Sequence, residues 1–189
     1  MQKIYYAGIG SRETPEPCLG VMRQVASYLE REGWILRSGG ARGADIAFEE
    51  GIQSTPNKEI YLPWAGYNNS GSSLNPKNHP FTQSEQDFTA HFHPAWNKCS
   101  PSAKLLHCRN TRIMLGCEAV HGPVVKASLF VLCWTAYGAA AGGTGQALRI
   151  AQAHGIPIFN LGKAMDKQGI EDILLEMDEY QIKLKKELL

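Results

Sequence analysis

Apolar residues in this chain come alternately in short unbroken runs and at helical spacing. Residues 4–9 form an apolar run that stops at Gly10, which predicts a buried first strand. Pro15 and Pro17 suit the first turn of a helix. Val21, Val25, Tyr28 and Leu29 then recur at helical spacing, and Gly33 ends the element. Residues 34–38 read as a second strand, 45–51 as a helix and 58–63 as a third strand. Strand, helix, strand, helix, strand is the signature of a parallel sheet covered by helices.

The alternation then breaks. Residues 65–80 are rich in Gly, Asn, Ser and Pro and predict a loop, of a length often used for binding lids. Residues 81–97 are ambiguous, with Thr82-Gln83-Ser84-Glu85 as a candidate cap for a short helix. Ser100 as N-cap and Pro101 at the first position open the next helix, which runs to about Leu115. A strongly apolar central strand is predicted at 128–134, a helix at 145–154, a fifth strand at 156–161 and a closing helix at 169–189. In that helix Ile170, Ile173, Leu174 and Met177 should face the sheet, and Lys183 to Glu187 form a solvated end or a dimer contact. The expected fold is a three-layer Rossmann-like α/β domain over residues 1–189. Its sheet should be mainly parallel, with about five or more strands and an insertion at about 65–99.

Composition narrows the function classes. A hydrophobic fraction of 43% supports a buried core. A net charge of +1 supplies no general basic surface for duplex DNA, though it leaves room for a local patch. No apolar run reaches membrane-spanning length, and no signal-peptide layout is seen. Five cysteines without regular spacing make no disulfide framework, so a reducing cytoplasm is expected. His91, His93, Cys99, His107 and Cys108 match no tight Cys/His pattern, so neither metal nor cofactor is expected. Nor does anything pair one cysteine with one histidine as a nucleophile.

Three predicted strands end in glycine-rich turns that open helices. They read Gly8-Ile9-Gly10-Ser11-Arg12, Ser38-Gly39-Gly40-Ala41-Arg42-Gly43-Ala44-Asp45 and Gly142-Gly143-Thr144-Gly145-Gln146. Such a turn lets backbone N–H groups approach an anion, and the helix start adds partial positive charge. One such turn is often no more than a tight connection. Three at the carboxyl ends of parallel strands describe a pocket for a phosphate-bearing ligand. The candidates there are the backbone at Gly10, Gly39, Gly40, Gly142, Gly143 and Gly145 and the hydroxyls of Ser11 and Thr144. Arg12 and Arg42 add guanidinium groups. Asp45, at a helix start, reads as a cap, a ribose contact or an acid–base group. His107, Arg109, Asn110 and Arg112 lie on one predicted helix, with Arg109 and Arg112 three apart and facing similarly, as ligand contacts or as a solvated basic face. Trp64, Tyr67, Trp96, Trp134 and Tyr137 offer faces for base stacking, with Trp134 equally suited to the core.

These motifs resemble the Rossmann-like superfamily that joins the DNA-processing protein A (Smf) family with the lonely-guy (LOG) phosphoribohydrolases, together called SLOG. Gly10-Ser11-Arg12 followed by Ser38 to Asp45 is similar to the first half of the Smf pattern, and Arg109-Asn110-Thr111-Arg112-Ile113 resembles its Arg-Asn-Arg segment. His107-Cys108-Arg109 before Gly142-Gly143-Thr144-Gly145 resembles the LOG pattern. The resemblance covers residues 4–161, and the long middle insertion looks like that of small phage and prophage members. The Smf branch implies single-stranded DNA binding, with Arg12, Arg42, Arg109 and Arg112 against the backbone. The LOG branch implies cleavage of a nucleoside monophosphate N-glycosidic bond by an Arg and a Glu. Arg109 stands at the Arg position, but Arg149 stands where the Glu is expected, which leaves Glu13, Asp45, Glu49 or Asp87 to serve. The first expectation is a protein that binds a nucleotide or another phosphorylated nucleoside to sense, sequester or process it. Arg109, Asp45 and Glu13 are the catalytic candidates if it is a nucleotide N-glycosidase, and a DprA-like single-strand binder is the other alternative. The expected partners are a nucleotide or short single-stranded nucleic acid and a second copy of the chain, with no membrane.

Overall fold

The computed structural model describes residues 3–188. Five strands, β1 (Ile4–Gly10), β2 (Trp34–Ser38), β3 (Lys58–Ile60), β4 (Val131–Trp134) and β5 (Ile158–Asn160), form one sheet in the order β3-β2-β1-β4-β5. Every pairing is parallel. The helices are α1 (Glu16–Arg31), α2 (Ala44–Gly51), α3 (Gln83–His91), α4 (Pro101–Leu115), α5 (Glu118–His121), α6 (Gly142–Ala153) and α7 (Lys167–Leu188). The architecture is the expected three-layer Rossmann-like α/β fold. The closing helix was expected to reach Leu189, which lies outside the described residues.

The apolar strand runs follow from burial on both faces. Alternate residues point to opposite sides. Tyr6, Trp34, Leu36 and Leu132 meet Met22, Leu29, Phe48 and Met177 beneath α1, α2 and α7. Ala7, Ile9, Val131 and Cys133 meet Ile113, Met114, Leu148 and Ile150 beneath α4 and α6. Ile170, Ile173 and Leu174 pack on the first cluster as their spacing predicts. Gly8 is required by Phe48, since a Cβ there would fall 2.7 Å from the ring. The presumed solvated end of α7 is partly engaged, because Lys185 Nζ donates to the Glu32 carbonyl at 2.7 Å. A charge also sits inside the sheet. Arg37 on β2 is fully buried, donates to Glu59 and to the Lys126 carbonyl, and lies over the Tyr5 ring.

The ambiguous stretch resolves into helix α3. Thr82 Oγ1 accepts from the Glu85 amide and Glu85 returns the bond to the Thr82 amide, which is the reciprocal cap its sequence suggests. Ser100 caps α4 as expected, accepting from the Ala103 amide at 3.2 Å. Glu85 has a second role. Its carboxylate receives Arg112 Nε at 2.7 Å and Nη2 at 2.9 Å, while Arg112 also donates to the His79 and Pro80 carbonyls. Arg112 therefore ties the 65–99 segment to α4. Arg112→Ala should lower stability by about 3 kcal/mol, because buried acceptors lose a charged donor. Urea denaturation monitored by circular dichroism measures it, and a change under about 0.5 kcal/mol would remove this role.

Candidate nucleotide-phosphate site

The strand order reverses between β1 and β4, whose ends pair at Gly10 and Trp134. Connections diverge from that point and leave a crevice outside the carboxyl ends of the strands. The crevice is a cavity of about 890 Å³. Gly10 to Glu13 line one side, Ala41 and Asp45 the floor, and His107, Arg109 and Asn110 a wall. Thr135, Ala136 and residues 139–144 close another side, with His93, Pro94 and Arg149 completing it. Two of the three glycine turns therefore meet directly, and the second contributes through Ala41 and Asp45.

The first turn is pinned by the backbone. The Ser11 amide donates to the Trp134 carbonyl at 3.1 Å, and the Ser11 carbonyl accepts from Thr14 Oγ1 at 2.8 Å. Ser11 Oγ accepts from the Glu13 amide. Gly43, at φ +82°, lets the second turn pass against the first, since a Cβ would fall 2.8 Å from the Arg12 Cα. Arg12 is exposed and its Nη2 donates to Tyr67 Oη at 3.3 Å.

The floor is a buried ion pair. Arg109 Nη1 donates to Asp45 Oδ2 at 3.1 Å, and the same oxygen accepts from the Ala41 amide at 3.3 Å. Burial pushes the Asp45 carboxyl above its ordinary range, against the pull of Arg109 and the Ala41 amide. Above it, burial and the neighbouring His93 push the His107 imidazole down to about 4. His107 Nδ1 and Arg109 Nε are buried with no hydrogen-bond partner among the described residues. Buried polar atoms are normally paired, so these two are unspent hydrogen-bonding groups in the wall of the cavity.

The third turn is the first turn of α6 itself. Residues 142–145 were expected before a helix starting at 145, yet the helix begins at Gly142. Ala141, its N-cap, offers no side-chain oxygen, and the Gly142, Gly143 and Thr144 amides donate to no acceptor among the described residues. Gly142 and Gly143 are exposed, and no neighbour lies within 4 Å of a Cβ built on either.

Several expected contacts lie elsewhere. Arg112 does not line the cavity. Residues three apart on a helix diverge by about 60°, and Arg112 turns to Glu85 while Arg109 turns to Asp45. Gly39 sits behind the Arg109 guanidinium, where a Cβ would overlap it, so it shapes the wall from outside. Gly40 packs against Leu62, and Arg42 is exposed outside the cavity. Gly145 packs on the Ala140 carbonyl. Glu13 lies at the rim, whereas Glu49 and Asp87 do not line the cavity. Sequence reasoning assigned no ligand role to Arg149, which reaches the cavity and donates to the Phe92 carbonyl at 2.9 Å. Its place one helical turn beyond Gly145 was the available signal. Trp134 packs on the core, Trp64 and Tyr67 lie edge to face, and Tyr137 is 98% exposed beside the cavity.

An open parallel sheet with a polar cleft at its strand-order reversal defines the doubly wound α/β class. Within it, the chain shares its fold with DNA processing protein A from Helicobacter pylori, a protein with a single-stranded DNA binding mode. The two have a TM-score of 0.54 at 16% identity, over 98% of this chain and 82% of that one. No protein-family model matches the chain, and no curated protein matches it. No helix among the described residues is long and apolar enough to cross a membrane.

Proposed function

We propose that the protein binds single-stranded DNA, with a backbone phosphate seated on the α6 N-terminus inside the cavity. The observation that carries this reading is the set of three free amides at Gly142, Gly143 and Thr144 facing the cavity. Unpaired amides aligned with a helix dipole favour an anion. Arg12 and Arg149 flank the cavity, and neither has a carboxylate within ion-pair distance among the described residues. Asp45 and Arg109 neutralise each other, and Arg12 and Arg149 against Glu13 at the rim leave the cavity a balance of one positive charge, which the α6 amides reinforce. Tyr137 offers a base-stacking face at the mouth. The shared fold with a single-strand binder supports the choice of a DNA strand over a free nucleotide.

The reading predicts a specific salt dependence. Two phosphates neutralised by Arg12 and Arg149 give a log–log slope of about −1.4 for a single strand, so affinity falls about sevenfold between about 50 and 200 mM salt. Arg149→Gln should reduce that loss to about threefold. Fluorescence anisotropy of a labelled oligothymidylate measures both. An unchanged slope in the variant would take Arg149 off the backbone.

A free nucleoside monophosphate is the second reading, favoured by the wall of the cleft, where His107 Nδ1 and Arg109 Nε are unpartnered polar groups among the described residues that a small movement would turn to a base or ribose. Calorimetry with mononucleotides tests it. Hydrolysis of the N-glycosidic bond has weaker support. Asp45 is held by Arg109 and an amide, and a cation, Arg149, stands where the LOG resemblance places the acid–base carboxylate. Free base released from a nucleoside monophosphate, followed by chromatography, would restore that reading.

A further inference from the structure

Three metal-ligating side chains meet on one edge of the cavity although they are scattered in sequence. His93 follows α3, Cys99 ends the short turn Trp96–Lys98, and His107 lies on α4. One ring nitrogen of each histidine and Cys99 Sγ all fall within 4.8 Å of one another. We propose that His93, Cys99 and His107 bind a zinc ion, leaving a fourth position open to the cavity.

One ligand pair already has the spacing such an ion needs, and the third donor lies within 4.8 Å of both. With Zn–S near 2.3 Å and Zn–N near 2.0–2.1 Å, a tetrahedral site sets sulfur and nitrogen about 3.5–3.6 Å apart. Cys99 Sγ lies 3.6 Å from His93 Nδ1 and 3.7 Å from Nε2. The two imidazole rings are 4.4 Å apart, centroid to centroid, so they must turn apart by under about 1 Å to share a tetrahedral ion. His107 carries a buried, unpartnered Nδ1 among the described residues, so no protein bond fixes its tautomer at that atom. The Ala95 amide reaches His93 Nδ1 at 3.2 Å. Metal on Nε2 moves the ring proton to Nδ1, and metal on Nδ1 displaces the amide, so either mode gives up that one contact.

The donor set also selects the class of ion. One thiolate and two imidazoles suit zinc or copper, whereas magnesium and calcium need several oxygen ligands. Arg109, Arg149 and Lys104 are the cationic neighbours. Arg109 and Arg149 line the same cavity, and Lys104 lies over the Trp96 ring at 5.3 Å. They oppose a bare dication, and the thiolate offsets one unit of its charge. His93 and His107 line the cavity while Cys99 does not, so the ion's open side faces the cleft. A water or a phosphate oxygen fits that position. Three protein ligands with one open place is the arrangement of zinc sites that act on a guest.

Binding forms a Zn–S bond as Cys99 gives up its thiol proton to solvent, with no change in oxidation state. Both histidines ligate as neutral rings, so the protein ligands release one proton per ion, and a water in the open position adds part of a second near neutral pH, where zinc lowers its pKa to about 7. The test uses the full chain, stripped with a chelator and titrated with cobalt(II) and then zinc, without nucleotide. Its result therefore stands apart from the DNA reading. Wild type should give a sulfur-to-cobalt charge-transfer band at one equivalent, bleached by one equivalent of zinc, with at least one proton released. Cys99→Ser should abolish the band, and His93→Gln should weaken zinc binding by at least about a hundredfold, since loss of a mere supporting partner already costs about 10–100-fold. Both residues are partly solvent-exposed, and circular dichroism of the metal-free variants checks that they fold. A folded wild type that gives no charge-transfer band overturns the site. So does a band that survives in Cys99→Ser, because another cysteine would then hold the ion. An intense visible band with copper(II), combined with weak zinc binding, would overturn the choice of zinc.

Discussion

Asp45→Ala should destabilise the protein by about 3–5 kcal/mol, and Arg109→Ala by distinctly less at low pH, although they break the same ion pair. The asymmetry comes from what each variant leaves behind. Without Asp45, the Arg109 guanidinium stays buried and charged, because it cannot lose its proton inside a protein. Without Arg109, Asp45 can take up a proton and become neutral. Burial already raises the Asp45 pKa above its ordinary 3.8, and Arg109 is the main influence opposing that rise. Its removal lifts the folded pKa further. A group whose folded pKa exceeds its unfolded value contributes full stability below the unfolded pKa and loses it as pH rises through the folded one. Arg109→Ala should therefore lie nearest to wild type at about pH 4 and fall behind it towards about pH 7. Asp45→Ala should show no such recovery in acid. Urea midpoints of the three proteins at both pH values measure this. Parallel pH profiles for the two variants would mean that the pair does not set the stability of the floor.

Much of the fold is legible because each signal acts locally. The run ending at Gly10, the Ser100-Pro101 start and the Thr82/Glu85 cap each encode their own geometry and hold in the structure. Strand lengths were overestimated where apolar residues continue past the pairing. Residues 128–130 are such a case, since Phe130 is core but β4 begins at Val131. The site was legible as a sheet edge and much less so as a set of side chains. Arg109 and Arg112 are alike as motif arginines, and the roughly 60° between them on the helix becomes decisive only because Glu85 and the His79 and Pro80 carbonyls, far away in sequence, take Arg112 away from the cleft. Gly39 and Gly143 look alike as motif glycines, yet one makes room for Arg109 and the other faces open space. His93, Cys99 and His107 follow no regular spacing because three separate elements bring them together.

The assignment of work within the cleft follows from that sorting. Charge at the floor is used up internally by Asp45 and Arg109, while higher up Arg12, Arg149 and the amides of α6 outweigh Glu13. Under the proposed reading an anionic group would sit in the upper part of the cleft, with Tyr137 beside the mouth left for a base. This division suits a strand whose backbone is held and whose bases are read loosely.

Gly143→Leu should lower affinity for single-stranded DNA by at least about 2–3 kcal/mol, roughly a hundredfold, while leaving the fold intact. Two facts separate binding from stability at this residue. Its φ is not in the left-handed region, and no atom lies within 4 Å of a built Cβ, so neither the backbone nor a neighbour requires glycine there. Leucine is also a better helix former, by up to about 1 kcal/mol. Thermal stability should thus be unchanged or slightly higher. The new side chain would fill the space in front of the Gly142, Gly143 and Thr144 amides, where the proposed phosphate sits. Gly143→Ala should fall between the two, because a methyl group screens the amides only in part. Gly142 is unsuitable for this experiment, since its φ of +61° would add backbone strain to any effect. Anisotropy titrations and melting curves on the same preparations give both readouts. A folded Gly143→Leu protein that binds the oligonucleotide as tightly as wild type would place the phosphate away from the α6 N-terminus and remove the main support for the proposed function.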